Sequence, residues 1–278
     1  MLGRQVLLHL KTSGLDVAGT YRSPGDYPQE DNHLLLDVVS FSETLFEEAD
    51  RPDWVINCIG VIKSRINSPA DKATAVAVNS AFPHQLDQAS EKFGFRVIQI
   101  ATDCVYSGAD GQYTENSPHS PTDIYGMSKS LGEVDSPRFL NLRCSIIGPE
   151  RKGHSSLLEW VRSRPGGASI PGYVNHVWNG ITTLAFAKVV LGIIRNNLFQ
   201  GGTFHLVPRD VVTKDQLVRL IASRLGRDDL SVQSVAAEKL VERSLNTLFP
   251  STNERLWHYA GYSEIPTIQE LVKECPVE

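Results

Sequence analysis

Apolar strand-like runs alternating with amphipathic stretches constrain this chain more than any other feature. "DWVINCIG", "FRVIQIATD" and "FLNLRCSIIG" are rich in Val, Ile, Leu and Phe with little polar alternation. Such strands have no face to give to water, so they require cover on both sides; separated by helices, they imply a parallel sheet between helical layers. Val17 to Tyr21 and "HLLLDVVS" read as two further strands. Before them, Leu2, Val6, Leu7 and Leu10 recur at helical spacing until Gly14, and after them "SETLFEEAD" reads as a short helix capped by Ser42. "ADKATAVAVNSAFPHQLDQASEKFG" carries Val78, Phe82, Leu86, Ala89 and Phe93 on one stripe, and the segment around "DIYGMSKSLGE" is helical. The expected class is α/β, a doubly wound parallel sheet.

Past Gly148 the rhythm loosens. "SSLLEWVRSR" and "TLAFAKVVLGIIRNN" read as helices, "GTFHLVP" as a strand, "TKDQLVRLIASRLG" as a helix capped by Thr213, and "PTIQELVKE" as a last helix with Pro266 near its start. No repeat or low-complexity linker separates the halves. Residues 1–150 are therefore expected to form one domain, and residues 151–278 a smaller, partly interleaved region.

A net charge of -5 over 278 residues argues against a dedicated nucleic-acid binder, which needs a basic face to gain counterion-release energy. Cys58, Cys104, Cys144 and Cys275 show no metal-like spacing, the histidines are scattered, and neither a metal site nor a disulfide is expected. Without an apolar run of membrane-spanning length or a signal-peptide pattern at the start, no membrane partner is expected and the cytoplasm is the expected compartment.

The chemistry concentrates in "YGMSK". Tyr125 and Lys129 lie one turn apart on a helix face, where an ammonium favours phenolate and moves the phenol toward acid–base work. In "QIATDCVYSG", Thr102 stands where an apolar strand ends, the edge at which open α/β sheets bind ligands. Its hydroxyl can donate to and accept from a reacting carbonyl and a phenol. The bland alternatives are a solvated helix face and a threonine satisfying a local turn at Asp103.

With these residues in place the chain resembles the extended short-chain dehydrogenase/reductases, above all their dTDP-4-dehydrorhamnose reductase branch. The resemblance rests on "ATDCVYSG", "GQYTENSPHSPTDIYGMSKSLGE", "AVNSAFPHQL" and "NLRCSIIG" in order, and more loosely on "NGITTLAFAKVV". It implies a Rossmann-like fold and a nucleotide-sugar substrate. Tyr125 would protonate a sugar C4 ketone, Lys129 would hold the nicotinamide ribose and lower the phenol's pKa, and Thr102 would hydrogen-bond the ketone oxygen. Asn79 matches a position near the cofactor. Dehydratases similar to this chain carry Glu where Cys104 stands after Asp103, so reduction is favoured over dehydration.

The family's chain opens with a strand and a GxxGxLG turn; "MLGRQV" resembles the end of that motif, with Gly3 as its last glycine. A preceding strand and glycine turn are thus expected to be missing from this sequence. Arg22 in "GTYRS", with no acidic residue nearby after the second strand, favours NADP(H) over NAD(H). Asp37 resembles an adenine contact, and Cys58, Ile59 and Gly60 resemble the loop beside the adenosine ribose. Where rhamnose-forming reductases tend to carry Trp, this chain has Ile146 or Ile147; Trp178 could supply an aromatic platform or be core.

The expected activity is NADPH-dependent reduction of a nucleotide-linked 4-keto-6-deoxy sugar for surface polysaccharide synthesis. Two alternatives are a non-catalytic subunit similar to the methionine adenosyltransferase beta subunit and a nucleotide-sugar epimerase. A homo-oligomer is possible on either reading.

Overall fold

The computed structural model describes residues 1–22, 33–48, 51–150 and 156–277. Ser23 of "GTYRS" lies outside the described residues, as do Ala49 and Asp50 at the end of the short Ser42 helix. Four parallel strands form the main sheet in the order Gly202–His205, Phe139–Arg143, Arg96–Ala101, Trp54–Asn57. Side chains alternate across a strand, and here both sides are covered. Ile98, Leu140 and Leu142 face helices Leu2–Thr12 and Thr183–Arg195, while Val97 and Phe139 face Phe82, Leu86 and Ala89. The doubly covered parallel sheet expected from the apolar runs is present.

Gly19–Tyr21 and His33–Leu35 pair in parallel with each other as a separate two-stranded sheet. Among the described residues, Trp54–Asn57 pairs only with Arg96–Ala101. Two strand expectations need correction. "HLLLDVVS" stays extended only over His33–Leu35, because the Asp37 carboxylate accepts from Val39 N at 3.1 Å and turns the chain into a short helix at Val38–Ser40. "FLNLRCSIIG" breaks after Arg143; Ile146–Ile147 leaves the main sheet to pair with Ile181–Thr182.

Strand Gly202–His205 and helix Thr183–Arg195 come from the later half of the chain yet pack on the main sheet. A second apolar core surrounds helix Lys214–Arg224, whose Leu217, Val218 and Ile221 meet Leu158, Val161, Ile170 and Val272. Thr213 caps this helix in a reciprocal box with Gln216. Small sheets join Ser169–Tyr173 to Ser231–Val235, and Val212–Thr213, His176–Trp178 and Val241–Glu242 to one another. Lys214 and Arg243 are thereby brought beside the loop that follows strand Arg96–Ala101.

Candidate active site

Thr102 leaves the carboxyl end of Arg96–Ala101, and its hydroxyl makes the turn that follows: Oγ1 accepts from Cys104 N at 3.2 Å and donates to Asp103 Oδ1 at 3.2 Å. The Tyr125 phenol lies within the electrostatic influence of this hydroxyl.

Helix Ile124–Leu131 presents Tyr125 because Asp123 caps it, accepting from Gly126 N at 2.9 Å while ion-paired with Lys63 at 2.8 Å. Its approach to the Thr102 loop depends on Gly126: a Cβ there would stand 2.2 Å from the Cys104 carbonyl oxygen. Burial pushes the phenol above its ordinary pKa, Cys104, Asp103 and Asp123 add to the rise, and the nearby Thr102 hydroxyl opposes it. The expected lowering by Lys129 is corrected by this geometry. The Lys129 ammonium is turned inward and donates to Ile100 O at 3.0 Å, with Cys58 and Cys144 in its electrostatic reach. Burial brings its own pKa down to about 8.

Asn79 lies in a one-turn π-bulge, Ala77–Ala81, inside the long helix running from Pro69 to Phe93. Such bulges interrupt helices mostly at functional positions. Its amide accepts from Val61 N at 2.8 Å and donates to Val61 O at 2.9 Å and Ser128 Oγ at 3.0 Å. It thus joins the loop after Trp54–Asn57 to the helix of Tyr125.

Cys58, Ile59 and Gly60 form that loop. Ile59 N donates to Asn57 Oδ1 at 3.1 Å, burial raises the Cys58 thiol to about 12, and a Cβ on Gly60 would lie 3.4 Å from Asn79 Oδ1. Gly3, at the start of helix Leu2–Thr12, packs here too, a Cβ on it falling 3.4 Å from that of Cys58. The N-cap of this helix, Met1, makes no side-chain cap hydrogen bond. Cys58 also lies in the electrostatic reach of Lys129, and a cationic group beside a close-packed glycine loop fits the ribose end of a dinucleotide. Arg22 and Asp37 stand together on the two-stranded sheet, Nε to Oδ1 at 4.0 Å, both well exposed.

Trp178 is buried, its indole N–H donating to Ser145 Oγ at 2.8 Å and its ring carrying the Lys214 ammonium at 5.2 Å. Lys214 and Arg243 escaped sequence reasoning. Arg243 donates through Nε to Tyr106 O at 2.9 Å and through Nη2 to Ser107 O at 3.4 Å, and Nη1 lies 3.9 Å from Cys104 Sγ. Lys214 lies in the electrostatic reach of Asp103 and Cys104, and burial brings its pKa down to about 8. One sequence signal existed for it: a lysine opening a helix meets the positive end of the helix dipole, a place where acidic residues are favoured. Arg243 sits in no periodic pattern and left no signal.

A phenol that keeps its proton, a hydroxyl-bearing turn beside it and a buried ammonium can protonate a carbonyl held at this edge of the sheet. Among the described residues no group of His, Cys, Asp and Glu could hold a metal ion, and no helix is long and apolar enough to cross a membrane.

The family model described as the RmlD substrate binding domain matches residues 1–275. A Haloferax volcanii protein named "Probable low-salt glycan biosynthesis reductase Agl14" is 27% identical over 245 residues, spanning 84% of this chain and 80% of that protein. The dTDP-4-dehydrorhamnose reductase of Mycobacterium tuberculosis is 24% identical over 232 residues, 77% of this chain and 72% of its own. In fold, the chain is similar to the Bacillus anthracis dTDP-4-dehydrorhamnose reductase solved in complex with NADP, with a TM-score of 0.71 at 18% identity, covering 99% of this chain and 93% of the other.

Proposed function

Because the chain belongs to the family of the RmlD substrate binding domain and is an NAD(P)-dependent oxidoreductase of the short-chain type, we propose that it reduces the C4 ketone of a nucleotide-linked 4-keto-6-deoxy sugar. NADPH is the preferred cofactor in this reading, and the product enters surface polysaccharide synthesis. The observation that carries the proposal is the close approach of the Tyr125 helix to the Thr102 loop at the carboxyl end of the main sheet, fixed by Gly126 against the Cys104 carbonyl.

When bound, the cofactor supplies hydride to the ketone carbon. The chain's own residues do the rest. Tyr125, held above its ordinary pKa, keeps its proton at neutral pH and is therefore in the acid form needed to protonate the ketone oxygen as charge develops there. Thr102, whose hydroxyl is given to Asp103 Oδ1 in this structure, would turn it to the same oxygen when substrate is bound. Lys129 holds a positive charge under the site and would hold the ribose, with Gly3, Cys58, Ile59, Gly60 and Asn79 shaping the cofactor's seat. Arg22 favours the extra phosphate of NADP, and Asp37 would meet the adenine.

Tyr125→Phe removes the proton and little else. With NADPH and a panel of nucleotide-linked 4-keto-6-deoxy sugars, the variant should lose about 10²- to 10⁴-fold in kcat while binding NADPH as the parent does. Undiminished turnover would exclude Tyr125 as the acid. Net consumption of NADPH also separates reduction from epimerisation, which consumes none.

A further inference from the structure

The loop that leads into the Tyr125 helix is tied at two neighbouring residues to the two parts of the site. Ser120 ties it to the loop after Thr102, its N–H donating to Val105 O at 2.9 Å and its Oγ accepting from Ser107 N at 3.1 Å. His119 ties it to the helix, with Nδ1 2.6 Å from Ser130 Oγ, one residue beyond Lys129. The other ring nitrogen, Nε2, lies 3.0 Å from Arg143 Nη2. A guanidinium only donates, so Nε2 accepts, the ring proton sits on Nδ1, and Nδ1 donates to Ser130. A bridge from Arg143 through His119 to the helix therefore exists only for the neutral ring.

The charged and titratable groups around the imidazole come from each element packed against it. Arg143, on strand Phe139–Arg143, disfavours a second positive charge, and Glu133, just after the helix, favours it from 3.6 Å. Tyr106 meets the ring nearly at right angles with centroids 5.7 Å apart, and His205 stands on the other side of Arg143. Burial is the largest effect and acts with Arg143 to hold the pKa below its ordinary 6.5. Glu133 is no free partner for an imidazolium, because both its oxygens already hold Arg143, at 2.9 and 2.5 Å. A proton on Nε2 would set N–H against N–H, so the ring must leave Arg143 and the seat from which it reaches Ser130.

We propose that His119 is a proton-sensitive positioning residue: neutral, it braces the helix of Tyr125 and Lys129 against Arg143 and the Thr102 loop, and protonated, it releases them. Its effect on turnover rests on the ketone-reduction reading above; its effect on the helix does not. A base whose folded pKa lies below its unfolded 6.5 keeps the brace closed at neutral pH and opens it as pH falls through the folded value. The chemistry's own groups keep their protons on the acid side, Tyr125 held above its ordinary pKa and Lys129 at about 8. Acid then slows the reaction through a residue that takes no part in the chemistry.

The test follows the full chain from about pH 7.5 to about pH 5, above the range in which His205, at about 4, takes up its proton. Nitrogen-15 shifts of the His119 ring, assigned by their loss in His119→Asn, should place the proton on Nδ1 at neutral pH and titrate to the imidazolium below 6.5. Protection of the amides of residues 128–132 against hydrogen exchange, corrected for the intrinsic effect of pH, should fall at least about tenfold toward acid in the parent. It should stay within about threefold in His119→Asn, whose amide donates to Ser130 without titrating, and should be low at both ends in Ser130→Ala, which keeps the ring and removes its acceptor. With NADPH and a nucleotide-linked 4-keto-6-deoxy sugar, kcat should fall at least about threefold toward acid in the parent, and this loss should vanish in His119→Asn. A ring proton on Nε2 at neutral pH, protection unchanged by acid, or parent-like protection in Ser130→Ala would each overturn the proposal. So would an equal acid loss in the parent and His119→Asn, which assigns it to another group such as Asp103. Ring shifts and exchange need no substrate, so failure here is distinct from failure of the ketone-reduction reading, which is judged on Tyr125→Phe.

Discussion

Tyr125 and Lys129 share a helix face, yet sharing a face is not touching. The spacing set the two side chains one turn apart, but the ammonium takes the carbonyl of Ile100. Burial then decides the sign of both shifts, raising the phenol and lowering the amine. A second buried device lies at Arg143. Its guanidinium donates to Tyr106 OH and to His205 Nε2, each at 2.6 Å, and holds Glu133 at 2.5 Å. With Nε2 accepting, His205 must carry its proton on Nδ1, which donates to Asn246 O at 2.6 Å, so the ring is locked neutral. Burial first and Arg143 second bring its pKa down to about 4, with Glu115 opposing. A base whose folded pKa lies below its unfolded value of 6.5 takes up protons on unfolding between those two points. Stability from this group is therefore full above about pH 6.5 and lost as pH falls toward 4. Thermal unfolding followed from pH 7 to pH 4.5 should show a steeper fall for the parent than for His205→Gln, on the order of 1–3 kcal/mol at the acid end. Equal slopes would exclude His205 as a contributor. Thr102 and Tyr125 were legible because their motifs are local; Lys214 and Arg243 were not, because only the folded chain brings them back to Cys104.

At the scale of elements, glycines set how closely the helix of Tyr125 can approach its neighbours. A Cβ on Gly132 would lie 1.8 Å from Asn79 O, and one on Gly126 would lie 2.2 Å from Cys104 O. The helix is thus wedged between the π-bulge and the Thr102 loop, with both contacts made by backbone. Gly126→Ala must push helix and loop apart, since a carbonyl cannot move aside as a flexible side chain would. We expect it to lose at least about tenfold in kcat, as a displacement near 1 Å costs about 10²-fold in well-oriented sites, with NADPH affinity held close to the parent's. Activity equal to the parent would show that the helix has slack. Periodicity exposed the helices and most strands but not this wedge, nor the amide ladder below it. Asn57, Gln99 and Asn141 sit in register on three adjacent strands, and Gln99 Nε2 donates to Gly132 O at 2.8 Å. These polar residues read as blemishes in apolar strands, whereas in the sheet they satisfy one another and anchor the end of the helix. The break in "FLNLRCSIIG" was hidden for a related reason: Ile146 and Ile147 are apolar enough for the main sheet, and only the strand Ile181–Thr182 draws them away.

Across the whole molecule, the sheet is divided where the fold class alone would make it continuous. Strands Arg96–Ala101 and Phe139–Arg143 each have neighbours on both sides and are sealed by helices on both faces. Among the described residues, Gly19–Tyr21 and His33–Leu35 pair with each other alone, with Thr20 and Leu35 exposed to solvent. Local opening follows local burial and hydrogen bonding, so the two regions should differ widely in protection. Hydrogen exchange should find the amides of residues 19–21 and 33–35 exchanging at least about 10²-fold faster than those of 97–100 and 140–142, a gap of roughly 3 kcal/mol in opening free energy. The same experiment reads the cofactor's reach. Arg22 and Asp37 belong to this weakly held pair of strands, so a nucleotide that engages them would stabilise the closed form in proportion to its binding. Saturating NADPH should then slow exchange at residues 19–22 and 33–37 more than NADH does, with little change at 140–142, which are protected already. Equal protection by the two cofactors would remove Arg22 from cofactor selection and leave it a solvated charge paired with Asp37.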